Sequence, residues 1–196
     1  MKKINNYIIF IISLASLCIA VKDFNLGKYD RLVAELTIVF VFLIPKILNK
    51  LFSLKFNDKF EFVYIIFIIL SQFLGSCLNL FNIVWWYDLF THFLSGVFTG
   101  ILSFVILKFL NKFDYKSKVF NILFIISFSL MVASFWEFGE FTFDTLFGMN
   151  VQHSIETGVK DTIEDMLIAT FGSIIVVLLY LFNKTQNILY KIVRNV

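Results

Sequence analysis

The chain has 196 residues, of which 59% are hydrophobic and 16% charged, with a formal net charge of +3. Soluble domains sit at about 45–50% apolar, so the composition, with a mean hydropathy of +0.86, excludes an ordinary soluble domain and points to a polytopic membrane protein. The Lys and Arg residues are scattered over short loops and form no patch, which excludes a nucleic-acid-binding module.

A hydrocarbon core about 30 Å thick needs roughly 20 apolar residues per helix. Six spans are predicted, at 6–21, 32–49, 60–80, 84–110, 118–144 and 161–182, in one integral-membrane domain covering 1–196. A single Pro predicts long uninterrupted helices. The first span is short, and its opening MKKINNYIIF resembles a secretory signal peptide that could be cleaved after Ala20; retention is expected. Cys18 and Cys77 lie in apolar runs and read as small membrane-buried hydrophobes. The fifth span is long, and a kink or a projecting end is expected near Gly139.

Basic residues set the orientation. Thirteen of the seventeen fall at the N-terminus, in the second and fourth loops and in the tail; Lys22, Lys28, Arg31 and Lys160 face the other way. Both termini are therefore predicted in the cytoplasm. Asp88 and His92 then lie in the outer part of the fourth span, below an aromatic belt of Trp85, Trp86 and Tyr87. Glu137 and Glu140 lie near the outer end of the fifth span, Asp161 and Asp165 in the first turns of the sixth, and Glu35 in the outer part of the second.

An ionisable group at the bilayer centre costs roughly 3 kcal/mol on insertion scales. Several such groups require partners or a function. Asp88 with His92, and Asp161 with Asp165, are spaced i to i+4, and Glu137 with Glu140 i to i+3, so each pair shares a helix face. Carboxylates and imidazole on facing helices are how bundles build divalent-metal sites, here for Zn, Mn, Fe or Mg. The candidate ligands are Asp88, His92, Glu137, Glu140, Asp161 and Asp165, with Glu140 also the candidate general base. A metal-dependent hydrolase or transferase acting on a lipid or lipid-linked envelope substrate is one reading. A proton- or cation-coupled transporter is another, although no comparable acids occupy the inner halves of the helices. A non-catalytic partner in an envelope complex is the third. Local structural roles also exist: Asp161 as an N-cap with Glu164 reaching back, and Glu35 paired with Arg31 at i,i+4. Asp144, Glu156 and His153 read as solvated loop residues.

DLFTHFLSGVFTGI, from Asp88, aligns without gaps on DTIEDMLIATFGSI, from Asp161. Asp88 matches Asp161, His92 faces Asp165, and Gly96 faces Ala169. A parallel repeat of 60–110 and 118–182 would produce this pattern. Small residues such as Gly96 and Gly100 would let two such helices pack closely.

The motifs D-x-x-x-H (Asp88, His92), W-E-x-x-E (Glu137, Glu140) and D-T-x-x-D-M (Asp161, Asp165), in this order on three consecutive spans, resemble the YjdF-type family, more distantly the VanZ-like proteins. The resemblance covers roughly residues 60–180 and implies a multi-pass protein of the bacterial cytoplasmic membrane. It supplies no established reaction. The VanZ likeness hints at the cell envelope only by analogy.

Overall fold

The computed structural model describes residues 1–29, 31–52, 56–114, 116–148 and 158–182, and they form helices with no strand among them. The helices are α1 (Lys2–Asn25), α2 (Leu32–Val41), α3 (Ile44–Phe52), α4 (Asp58–Ile68), the short α5 (Leu80–Ile83), α6 (Tyr87–Phe109), α7 (Lys118–Phe147) and α8 (Lys160–Phe182). A π-helical segment, Ile69–Cys77, continues α4 directly. Five of these stretches are long and apolar enough to cross a membrane, or six if the bent pair α2 and α3 is one span. The predicted spans are thus recovered with shifted edges. The first is a full 24-residue helix rather than a short one. α7 runs as one 30-residue helix through Gly139 and stops at Gly148, whose left-handed φ of 64° suits a helix C-cap.

The second span departs most from expectation. It bends by 43° between Val41 and Ile44. Pro45 is the cause: its ring displaces the carbonyl four residues earlier, which belongs to Val41, the last residue of α2. One proline therefore suffices to interrupt a run the composition predicted as unbroken.

The chain divides into two compact units, one covering Met1–Asp88 and the other Leu89–Tyr190, apart from the tail. The boundary falls inside the first turn of α6. In the first unit, side chains tie helices together through backbone carbonyls that no water can reach in a bilayer. Ser16 donates to the Glu35 carbonyl at 2.6 Å, Tyr64 to that of Val41 at 2.6 Å, and Gln72 to that of Ala34 at 2.9 Å. Arg31 binds the Asp23 carboxylate at 2.6 Å, a partner eight residues away that the helical spacing does not suggest. Glu35 is fully buried. Cys77 is buried, whereas Cys18 lies on the exposed surface of α1.

The second unit is built from α6, α7 and α8. Neighbours on α6 and α8 advance together along the two helices: His92 with Asp165, Phe93 with Phe171, Phe104 with Tyr180. The two helices are therefore parallel. Pairs between α7 and α8 run oppositely, Asn121 with Tyr180 and Ser134 with Met166, so α7 is antiparallel to them. The contact between α6 and α8 is backbone to backbone. A Cβ at Gly96 would run into the Ala169 carbonyl, and one at Gly172 into the Phe93 carbonyl and within 3.0 Å of the Val97 nitrogen.

This geometry separates the glycines experimentally. Gly96→Ala and Gly172→Ala should each force the helices apart and lower stability by about 1–3 kcal/mol in detergent melts. Gly139→Ala meets nothing within 4 Å and should be neutral or stabilising by about 0.5–1 kcal/mol.

Candidate metal centre

Two helices carry Asp88, His92 and Asp165, and their apolar sequences explain why the polar residues stay together. On α8, Asp165, Ala169, Gly172, Ser173, Val176, Val177 and Tyr180 form one buried face. On α6, Thr91, His92, Thr99 and Ser103 are buried. With lipid on the other faces, a polar side chain is accommodated only toward the neighbouring helices.

Asp88, His92 and Asp165 each offer a ligand atom, and these atoms all lie within 4.8 Å of one another. Asp165 is 2% and His92 8% exposed, while Asp88, in the first turn of α6, is half-buried. Asp88 and His92 sit one turn apart on the same unbroken helix, which fixes their relation. His92 Nε2 and Asp165 Oδ2 stand 3.7 Å apart. That is beyond hydrogen-bond distance. It is close to the separation of two donors each about 2.1 Å from one tetrahedral ion, about 3.4 Å. Two carboxylates against one imidazole leave a negative set that a divalent cation would neutralise.

Glu137 is placed by helical register. The buried stripe of α7 runs Asn121, Ile125, Ser129, Ala133, Glu137, at intervals of four. The hydroxyls of Thr99 and Ser129 meet at 2.7 Å, fixing the level of α6 against α7. His92 lies seven residues from Thr99, about 10.5 Å, and Glu137 lies eight residues from Ser129 in the same direction, about 12 Å. The two therefore stand at nearly one level. Glu137 is 3% exposed.

The remaining candidates lie outside the three-residue set. Glu140 is half-buried and accepts a hydrogen bond from Trp136 Nε1 at 2.8 Å, along the exposed side of its own helix. Asp161 is half-buried in the first turn of α8. It is the second residue of that helix rather than its cap, because the Ile163 amide already bonds the Val159 carbonyl at 3.2 Å. Glu164 is exposed and pairs with Lys160 at 3.6 Å. Asp144 belongs to the last turn of α7 and not to a loop. His153 and Glu156 lie outside the described residues.

Sequence reasoning missed the polar layers below this set. Besides Thr99 with Ser129, Asn121 donates to the Tyr180 hydroxyl at 3.0 Å and to the Asp114 carbonyl at 2.9 Å. Ser103 and Ser173 are fully buried. Their spacing was readable, but hydroxyls in apolar helices usually satisfy their own backbone, and the sequence gives no sign of which will reach across. Hydroxyl contacts between membrane helices average about 0.6 kcal/mol and reach about 1.7. Thr99→Val should lower unfolding stability within that range, with Ser129→Ala giving a non-additive double mutant.

A family model described as a predicted membrane protein, DUF2238, matches residues 4–186. No curated protein and no solved structure matches the chain. The matched stretch takes in the candidate spans, all but the first two residues of α1, and the three motifs on α6, α7 and α8, and the chain belongs to this family of predicted membrane proteins, the YjdF-like family.

Proposed function

We propose that this protein binds a divalent metal ion through Asp88, His92 and Asp165, at the outward-facing end of a helix bundle in the bacterial cytoplasmic membrane. The observation that carries the reading is the spacing of three ligand atoms, all within 4.8 Å, on buried helix faces of a membrane protein. Three protein ligands leave coordination positions open, as catalytic sites do. The ion would acidify a bound water, and Glu137, level with His92, is the carboxylate best placed to take its proton. Glu140, tied to Trp136, is the second carboxylate at that end. Metal-assisted hydrolysis or transfer on a lipid or lipid-linked envelope substrate is the chemistry that such a site suits. Trp85 and Trp86, 87% and 46% exposed just before α6, favour a site near the membrane boundary. Mixed carboxylate and imidazole donors fit Zn, Mn, Fe or Mg.

One observation favours a second reading, a proton or cation path. The buried hydroxyl and amide layers Thr99 with Ser129 and Asn121 with Tyr180 continue down the bundle from the acidic set. Chelation separates the two readings. For a metal protein, elemental analysis should return close to one ion per chain, chelator should lower the melting temperature at neutral pH, and added metal should restore it by mass action. Ligands must be deprotonated, so this metal-dependent stabilisation is present at neutral pH and fades as acid protonates His92 and the carboxylates. His92→Ala and Asp165→Asn should abolish the chelator effect. No metal-dependent shift at any pH would remove the metal reading and favour the path.

The outward placement rests on thirteen of seventeen basic residues lying to one side. Reporter fusions after Lys116 and at the C-terminus should report cytoplasm, and fusions near Val84 and Gln152 the exterior. A cytoplasmic Val84 would invert the site.

A further inference from the structure

We infer that Tyr87 is a positioning residue for the Asp88–His92–Asp165 set, acting through the first turn of α6, and that the π-helical segment Ile69–Cys77 is its anchor. The inference rests on the metal reading above. Asp88 is the least buried of the three ligands and occupies the first turn of its helix, where backbone N–H groups lack intrahelical partners and the helix frays. A useful ligand set has to be held to about 0.5 Å. Something must therefore fix the start of α6.

Tyr87 supplies that fixation. It is 5% exposed, and its hydroxyl donates to the Leu70 carbonyl at 2.6 Å, across seventeen residues. Leu70 belongs to the π-helical segment, in which the Leu78 amide bonds the Phe73 carbonyl, five residues back, at 2.9 Å. Such segments are rare in helices and cluster at functional sites. The connection between segment and tyrosine is tightly folded. Asn79 takes a left-handed φ of 64°, α5 makes a single turn, and the Tyr87 amide bonds the Val84 carbonyl at 2.9 Å. Phe81 fills the space over Gly75, where a Cβ would collide with its ring. Its ring also meets that of Tyr87 edge-on, with centroids 5.7 Å apart. The segment, α5 and Tyr87 thus form one packed elbow, and Asp88 is the next residue along the chain.

The test compares Tyr87→Phe with Tyr64→Phe in the full-length purified protein. Tyr64 makes the same kind of bond, hydroxyl to the Val41 carbonyl at 2.6 Å, but is not adjacent to a ligand. Titration with Zn²⁺ and Mn²⁺ should show Tyr87→Phe binding about three- to tenfold more weakly, the span of one neutral hydrogen bond, with unchanged stoichiometry. Amide hydrogen exchange over residues 85–95 should quicken in the same variant without metal. Tyr64→Phe should change neither. Unchanged exchange in Tyr87→Phe overturns the anchor. Faster exchange with unaltered affinity overturns the positioning role while leaving the metal reading intact. A loss of affinity equally large in Tyr64→Phe reduces the effect to general stability and also overturns it. If the wild type binds neither ion, the metal reading and the ligand-positioning role fall together.

Discussion

The close approach of α6 to α8 governs the second unit. It exists because Gly96 and Gly172 carry no Cβ, so that each helix lays a backbone carbonyl into the other's missing side chain. One helical turn from Gly96 is His92, and one turn from Ala169 is Asp165. With the backbones pressed together at that level, the two side chains have no choice but to meet, and their polar atoms stand 3.7 Å apart. A wider interhelical distance, filled by Ala or Val, would carry them beyond any shared partner. Membrane helices have no hydrophobic drive to associate, so packing of this kind, with a few hydroxyl contacts, has to hold them. The same two glycines therefore hold α6 against α8 and set the spacing of His92 and Asp165.

Much of this arrangement was legible from residue types and spacing. Apolar runs of membrane length gave the spans, and ionisable residues inside them gave the candidates, because a bilayer makes each one conspicuous. Two pairs of the gapless alignment, His92 with Asp165 and Gly96 with Ala169, are neighbours in the structure, but the register drifts along the helices, where Phe93 meets Phe171 and Gly100 faces Val176. The choice between Glu137 and Glu140 was harder. Three residues apart, they project in directions only about 60° different. The stripe of small and polar residues through Asn121, Ser129 and Ala133 marks the buried face that carries Glu137, and the i,i+4 spacing of Trp136 and Glu140 matches their hydrogen bond.

Other features follow from long-range geometry that spacing does not encode. Beside the Glu35 spacing, the Arg31 guanidinium reaches back past the α1–α2 turn to Asp23, eight residues away. Nothing in ILSQFLGSC distinguishes a π-helical segment from an ordinary α-helical one. Its geometry depends on where Phe81 and Tyr87 return to it, and that is settled by tertiary packing. Pro45 was visible, but its effect lies in position rather than number: placed four residues after Val41, it ends one helix and begins another.

The location of the acidic set has an energetic logic that applies whatever it binds. A 30-residue helix such as α7 is about 45 Å long, half as long again as the hydrocarbon core. Counted from Lys118, Glu137 is reached after about 28 Å, near the far boundary of the core, and Glu140 and Asp144 lie beyond it. Asp88 and Asp165 enter from that same end, in the opening turns of their helices. The insertion cost of roughly 3 kcal/mol per charge applies at the bilayer centre and falls toward the interface. Below this level the bundle carries hydroxyl and amide groups on its buried faces, among them Thr99, Ser103, Asn121, Ser129 and Ser173, held by hydrogen bonds to backbone or side-chain atoms. Acidic side chains near the boundary and hydroxyl and amide groups in the interior are the distribution a bilayer permits. It sets Asp88, His92 and Asp165 toward the starts of their helices, with the hydroxyl and amide layers farther along them.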